Sequence, residues 1–159
     1  MARTDKLANR LAQEPFDTLQ QEVSVGVLTV AGHITQRLNE VCGERGITHD
    51  QYNVLRILSG ARPKGYARFE IARRLINRAP DVTRLLDRLE RNDLVERHRS
   101  PHDRRQSISS ITSQGMELLE AMDEEIQAVH RDAVANLTEQ ERWDLAHVLP
   151  KMIPEDQVS

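Results

Sequence analysis

Between Arg68 and Ile111 the spacing of apolar residues changes period, and few folds can hold both periods in so short a stretch. Ile71, Ala72 and Leu75 share one face of a helix predicted over residues 68–76. Val82, Leu85, Leu86 and Leu89 repeat at steps of three and four, which predicts a second helix over 80–91. Asn77-Arg78-Ala79 forms the turn between them, and Pro80 suits a first helical position, where its missing N–H costs nothing. Asn92 and Asp93 tolerate the left-handed backbone that a helix exit often requires. Residues 94–99 and 106–111 then read as two strands joined by the polar turn 100–105.

Helical patterns flank this stretch. The first fifteen residues suit a loose arm or short helix. Apolar residues at positions 23, 27, 30, 34, 38 and 41 predict one long helix from Val23, ended by Gly43 and Gly46. That longer pattern overrides the strand-like alternation of Val23-Ser24-Val25-Gly26-Val27. Thr48-His49-Asp50-Gln51 is a capping box that opens a helix to about Ser59, burying Tyr52, Leu55 and Leu58. Residues 60–65, with Pro63, form a turn. Thr112 caps a helix whose stripe is Met116, Leu119, Met122, Ile126, Val129 and Ala133. Thr138-Glu139-Gln140-Glu141 opens a last one, carrying Trp143, Leu145 and Leu149 to about Pro150. The expected fold is mainly α with a small β-hairpin wing: a winged helix-turn-helix with long N- and C-terminal dimerisation helices. Residues 1–45 would form an arm and dimerisation helix, 46–112 the winged domain, and 113–159 the C-terminal dimerisation helices.

Charge is distributed to match. The chain carries a net −3, yet from Arg62 to Arg105 there are 13 basic and 7 acidic residues, a local +6. The remainder holds 9 basic and 18 acidic residues, or −9. A basic working segment on an acidic frame fits nucleic acid as a partner, although a solvated arginine-rich face would leave the same asymmetry. Aromatic residues are 3% of the chain, too few for the stacking platforms of single-strand binders. No apolar run approaches the roughly 18 residues that span a bilayer. There is no apolar stretch behind the N-terminus to act as a secretion signal. Cys42 alone cannot build a disulfide framework. A protein of the reducing cytoplasm, with no membrane partner, is expected. Six scattered histidines lack metal-ligand spacing, and no nucleophile elbow or phosphate-binding glycine loop is present. Neither an enzyme, a metal nor a cofactor is expected.

The start of the second helix would lie in a major groove about 12 Å wide, within reach of base edges. The turn and helix supply Arg78, Pro80, Asp81, Thr83, Arg84 and Arg88 as candidate DNA contacts; the hairpin supplies Arg99, Asp103, Arg104 and Arg105. An arginine can pair bidentately with guanine. Asp81 can accept from a cytosine amino group, but favouring the positive end of the helix dipole is the better account of it. Arginines at the hairpin tip can enter a narrow minor groove, while Asp103 would repel phosphate and is better employed fixing the tip's geometry. An ordinary charged surface turn is the alternative.

The runs Pro80-Asp81-Val82-Thr83-Arg84-Leu85-Leu86-Asp87-Arg88-Leu89-Glu90, Leu94-Val95-Glu96-Arg97, Asp103-Arg104-Arg105 and Ile111-Thr112-Ser113-Gln114-Gly115 together resemble the signature of the MarR family. The resemblance extends over about residues 23–149. It implies a homodimer with interlocking first and last helices and two winged domains on a pseudo-palindromic operator in double-stranded DNA. It places Arg78, Thr83 and Arg84 on the major groove, with Asp103 and Arg105 at the wing tip. The implied function is a sequence-specific transcriptional regulator, a repressor that could respond to an effector. An architectural or bridging DNA-binding protein with little sequence preference is the alternative. Two departures stand out: Asp93 replaces a common glycine, and the loop Pro63-Lys64-Gly65-Tyr66 is longer than usual. Oxidant-sensing relatives carry a cysteine near the start of the first helix, whereas Cys42 falls at its end, so a structural or incidental thiol is expected. Small aromatic effectors in this family lodge between dimer arm and winged domain, where His33, Arg37, Tyr52 and Arg56 could face one, or be plain inter-helix contacts.

Overall fold

The structure, a computed structural model, describes residues 6–12, 14–77, 81–100 and 106–154. In chain order it contains α1 (Lys6–Arg10), α2 (Leu19–Gly43), α3 (His49–Ser59), β1 (Tyr66–Ala67), α4 (Arg68–Arg74), α5 (Val82–Arg91), β2 (Val95–Arg99), β3 (Ser107–Ile111), α6 (Ser113–Ala133) and α7 (Glu139–Val148). A 3-10 turn, Leu149–Met152, follows α7. The architecture is mainly helical with a small antiparallel sheet, as expected. Among the described residues no helix is long and apolar enough to cross a membrane.

Side-chain caps fix most helix boundaries. Thr48, Thr112 and Thr138 each accept a hydrogen bond from a first-turn backbone N–H. At Thr48 and Thr138 the capping box closes through Gln51 and Glu141, satisfying a second orphan donor at each end. Two expected starts are corrected on the same physical ground. The long helix begins at Leu19 rather than Val23, because Thr18 accepts from the Gln21 N–H and caps it there. The helix expected from Pro80 begins at Val82, because Asp81 occupies the N-cap and accepts from the Arg84 N–H at 3.2 Å.

A third strand accompanies the hairpin. The sheet order is β1-β3-β2, with Tyr66 opposite Ser109 and Val95 opposite Ile111. Gly65 makes the close approach of β1 possible. At a φ of 70° it is left-handed, and a Cβ there would lie 2.3 Å from the carbonyl oxygen of Ser109.

One apolar core joins the layers. Leu38 and Cys42 of α2 meet Val54, Leu55 and Leu58 of α3, the inner faces of α4 and α5, and Leu119, Met122, Ile126 and Val129 of α6. Burying each such side chain contributes about 1.5–3 kcal/mol, so α3, at the centre, anchors the winged part. The outer elements are different. α2 buries only Leu38 and Cys42 along its length, and α7 buries nothing.

Candidate nucleic-acid interface

α5 is partitioned by its own spacing. Val82, Leu85, Leu86 and Leu89 are buried and hold the helix to the core, as expected from their periodicity. Thr83, Arg84, Arg88 and Arg91 are exposed. The three arginines follow steps of four and three, so they form one outward stripe. Arg91 was not among the sequence candidates, although the same spacing that singles out Arg84 and Arg88 would have found it.

The ends of α5 are tightly specified. Asp81 caps the N-terminus, and its carboxylate also lies 3.7 Å from Nε of Arg84, whose side chain is 82% exposed. That pairing is loose and leaves the guanidinium available. At the other end Asp93 adopts a φ of 56°. Its N–H donates to the Glu90 carbonyl, and the Leu94 N–H donates to the Leu89 carbonyl, both at 3.0 Å. These are the two bonds of a Schellman ending, so Asp93 does in this chain what a glycine does elsewhere. The Thr112 hydroxyl then donates to the Asp93 carbonyl at 2.7 Å and accepts from the Gly115 N–H at 3.0 Å. α5, the wing and α6 are thus tied at one corner.

The wing lies beside α5. A cleft of about 310 Å³ opens between them, lined by Phe69, Thr83, Leu86, Arg97, Gln106 and Ser107. Arg99 ends β2, exposed and opposite Ser107. Not every cation of the basic segment is free for DNA. The Arg74 guanidinium stacks 4.1 Å from the Tyr66 ring centre and donates to the Glu70 carbonyl. Arg97 is held by Asp87 at 2.6 Å and lies 3.6 Å from Glu90. Sequence spacing could not pair Arg97 with Asp87, because the contact runs from strand to helix through space.

Thr83, Arg84 and Arg88 therefore share one helix, with Asp81 at its cap and Arg99 on the neighbouring hairpin. The candidates Arg78, Pro80, Asp103, Arg104 and Arg105 lie outside the described residues. The four effector candidates lie on α2 and α3. His33 and Arg37 are exposed on α2, where Arg37 donates to Glu40 at 2.6 Å, while Arg56 is exposed on α3. Tyr52 is buried; burial pushes its phenol above the usual range and Arg56, one turn on, opposes the shift. Neither the cleft beside α5 nor a depression of about 490 Å³ near Arg45 and Gln114 is lined by any of them.

Comparison with known proteins agrees with this fold. Residues 47–107 match the model of the MarR family. The homoprotocatechuate degradative operon repressor of Escherichia coli is 23% identical over 135 residues, 85% of this chain and 90% of that protein. The crystal structure of a MarR transcription factor from Planctomyces limnophilus shares 32% identity at a TM-score of 0.66, covering 85% of this chain and 98% of that one. A mutant of MarR from E. coli, complexed with operator DNA, shares 28% identity at a TM-score of 0.75, covering 87% and 100%. With the capped recognition helix, the wing and a relative matched over nearly its whole length, the chain belongs to the MarR family of DNA-binding transcriptional regulators.

Proposed function

We propose that the chain is a cytoplasmic repressor that binds a pseudo-palindromic operator as a homodimer, reading base pairs with α5 and gripping the flanks with the wing. The observation that carries this reading is the partition of α5 into a buried apolar face and an exposed stripe of Arg84, Arg88 and Arg91 beside Thr83. Thr83 and Arg84, near the helix start, are the base readers, with Arg78, Pro80 and Asp81 shaping the approach. Arg88 and Arg91 follow the phosphates, and Arg99 with Asp103, Arg104 and Arg105 serves the minor groove. Repression is supported by the name of the E. coli relative, an operon repressor. Dimerisation is supported by apolar side chains left in solvent on α2 and α7, among them Leu28 at 71% and Trp143 at 55% exposure. On this reading residues 46–112 form the DNA-binding unit, with 1–45 and 113–159 joining the copies.

Selection of duplexes from a random-sequence pool tests the proposal. The wild-type chain should enrich an inverted repeat, and Arg84→Ala should lose about 1–3 kcal/mol on that duplex, with preference relaxed at one base pair of each half-site. Enrichment of no sequence would point instead to an architectural DNA binder. A uniform loss across all duplexes would move Arg84 from base to phosphate.

A further inference from the structure

The recognition helix carries a second polar stripe, in which exposed Thr83 and Glu90 flank a half-buried Asp87. Thr83, Asp87 and Glu90 lie at steps of four and three on the side turned toward β2. Arg97 reaches back from β2 to meet the last two. Its Nη2 donates to Oδ1 of Asp87 at 2.6 Å, and its Nε lies 3.6 Å from Oε2 of Glu90. The side chain is 25% exposed, and the buried Nε makes no hydrogen bond among the described residues. The cleft lined by Phe69, Thr83 and Gln106 opens beside this joint, where packing between helix and hairpin is interrupted. Arg97 itself lines that cleft, above the buried contacts of Leu86 and Leu89 with the core that Val95 shares.

Two carboxylates on a helix meant for DNA are costly, since each repels phosphate. A partly exposed ion pair also contributes little to folding. Its planar fork, however, constrains direction in a way that a lysine's point charge does not. An arginine reaching from the first strand of the wing to the second and third turns of the recognition helix therefore sets the angle between them.

We propose that Arg97 is a positioning residue for DNA recognition: its hold on Asp87 and Glu90 fixes the wing relative to α5, so that both meet the duplex in one geometry. The inference rests on the DNA-binding reading above. Without the clasp the wing would have to be ordered at the moment of binding, which lowers affinity only for DNA long enough to reach the wing.

The experiment uses the full-length chain and the duplex enriched by the wild type, in full length and trimmed of its outer flanks. Arg97→Gln and Asp87→Asn should each weaken binding to the full duplex about three- to tenfold, and leave the trimmed duplex within about twofold. Charge alone predicts opposite signs, because the first variant removes a cation and the second an anion. The exchanged pair Arg97→Glu with Asp87→Arg should recover most of the loss at unchanged net charge. Arg97→Lys keeps the charge without the fork and serves if the other variants fail to fold; it should weaken the full duplex selectively as well. Tighter binding by Asp87→Asn, or an equal loss on both duplexes in any folded variant, overturns the proposal. If the wild type enriches no duplex, the repressor reading falls first, and this inference with it.

Discussion

Asp81 and Cys42 show how far a single residue can be read from sequence. Asp81 was expected inside the first turn, favouring the positive end of the helix dipole; the structure moves it to the N-cap, ahead of Val82. Asp87 and Arg97 look like ordinary surface charges in the sequence and acquire a joint role only when the hairpin folds back. Cys42 was expected to be structural or incidental, and it is fully buried at the end of α2. Burial pushes its thiol up to about 11 from an ordinary 9.0. The thiolate is the reactive form, so the native thiol should alkylate with iodoacetamide at pH 8 about a hundredfold more slowly than the unfolded chain. A native rate equal to that of the denatured protein would remove burial as its protection. The same shift has a stability sign. The folded chain holds the proton more tightly, so this contribution is present below about pH 9 and is lost as pH rises through the folded value near 11.

At the scale of elements, existence was more legible than boundaries. The three threonine caps and the apolar stripes of α3, α5 and α6 are local signals, and the structure follows them. β1 escaped because Tyr66 and Ala67 are too short a run to show alternation; the strand exists because Gly65 lets it reach β3. The Thr-x-x-Gly start of α6 now has a physical reason at both ends. Thr112 caps the helix, while a Cβ on Gly115 would lie 2.4 Å from the Leu94 carbonyl oxygen and 2.7 Å from Cγ1 of Ile111. Gly115→Ala should therefore push α6 off the base of the wing and destabilise the fold by about 1–3 kcal/mol, the usual cost of overpacking. A lowered urea midpoint at unchanged slope would register it. An unaltered midpoint would mean that the corner between α5, β3 and α6 yields more easily than its contacts indicate.

The molecule as a whole is unevenly furnished. Its winged part has a closed core, while Leu19, Leu28 and Val30 on α2 and Trp143, Val148 and Leu149 near the C-terminus stand in solvent. The sequence displayed these stripes without saying what covers them, because a partner's surface leaves no mark in one chain's spacing. A second copy is the proposed cover. Sedimentation at micromolar concentration should then give twice the 18.2 kDa mass of one chain, and Leu28→Asp should shift the population toward monomer while leaving the winged part folded. A wild type that sediments as one chain would remove the two-half-site operator. If the dimer stands, α7 carries a consequence for gene dosage. It buries nothing within its own chain, and a helix of ten residues is marginal without tertiary packing, so its order depends on finding another copy. Operator occupancy at scarce supply would then climb with the square of copy number. Halving the number of molecules per cell would do more than halve the silencing: the regulated genes would meet a threshold, not a dimmer.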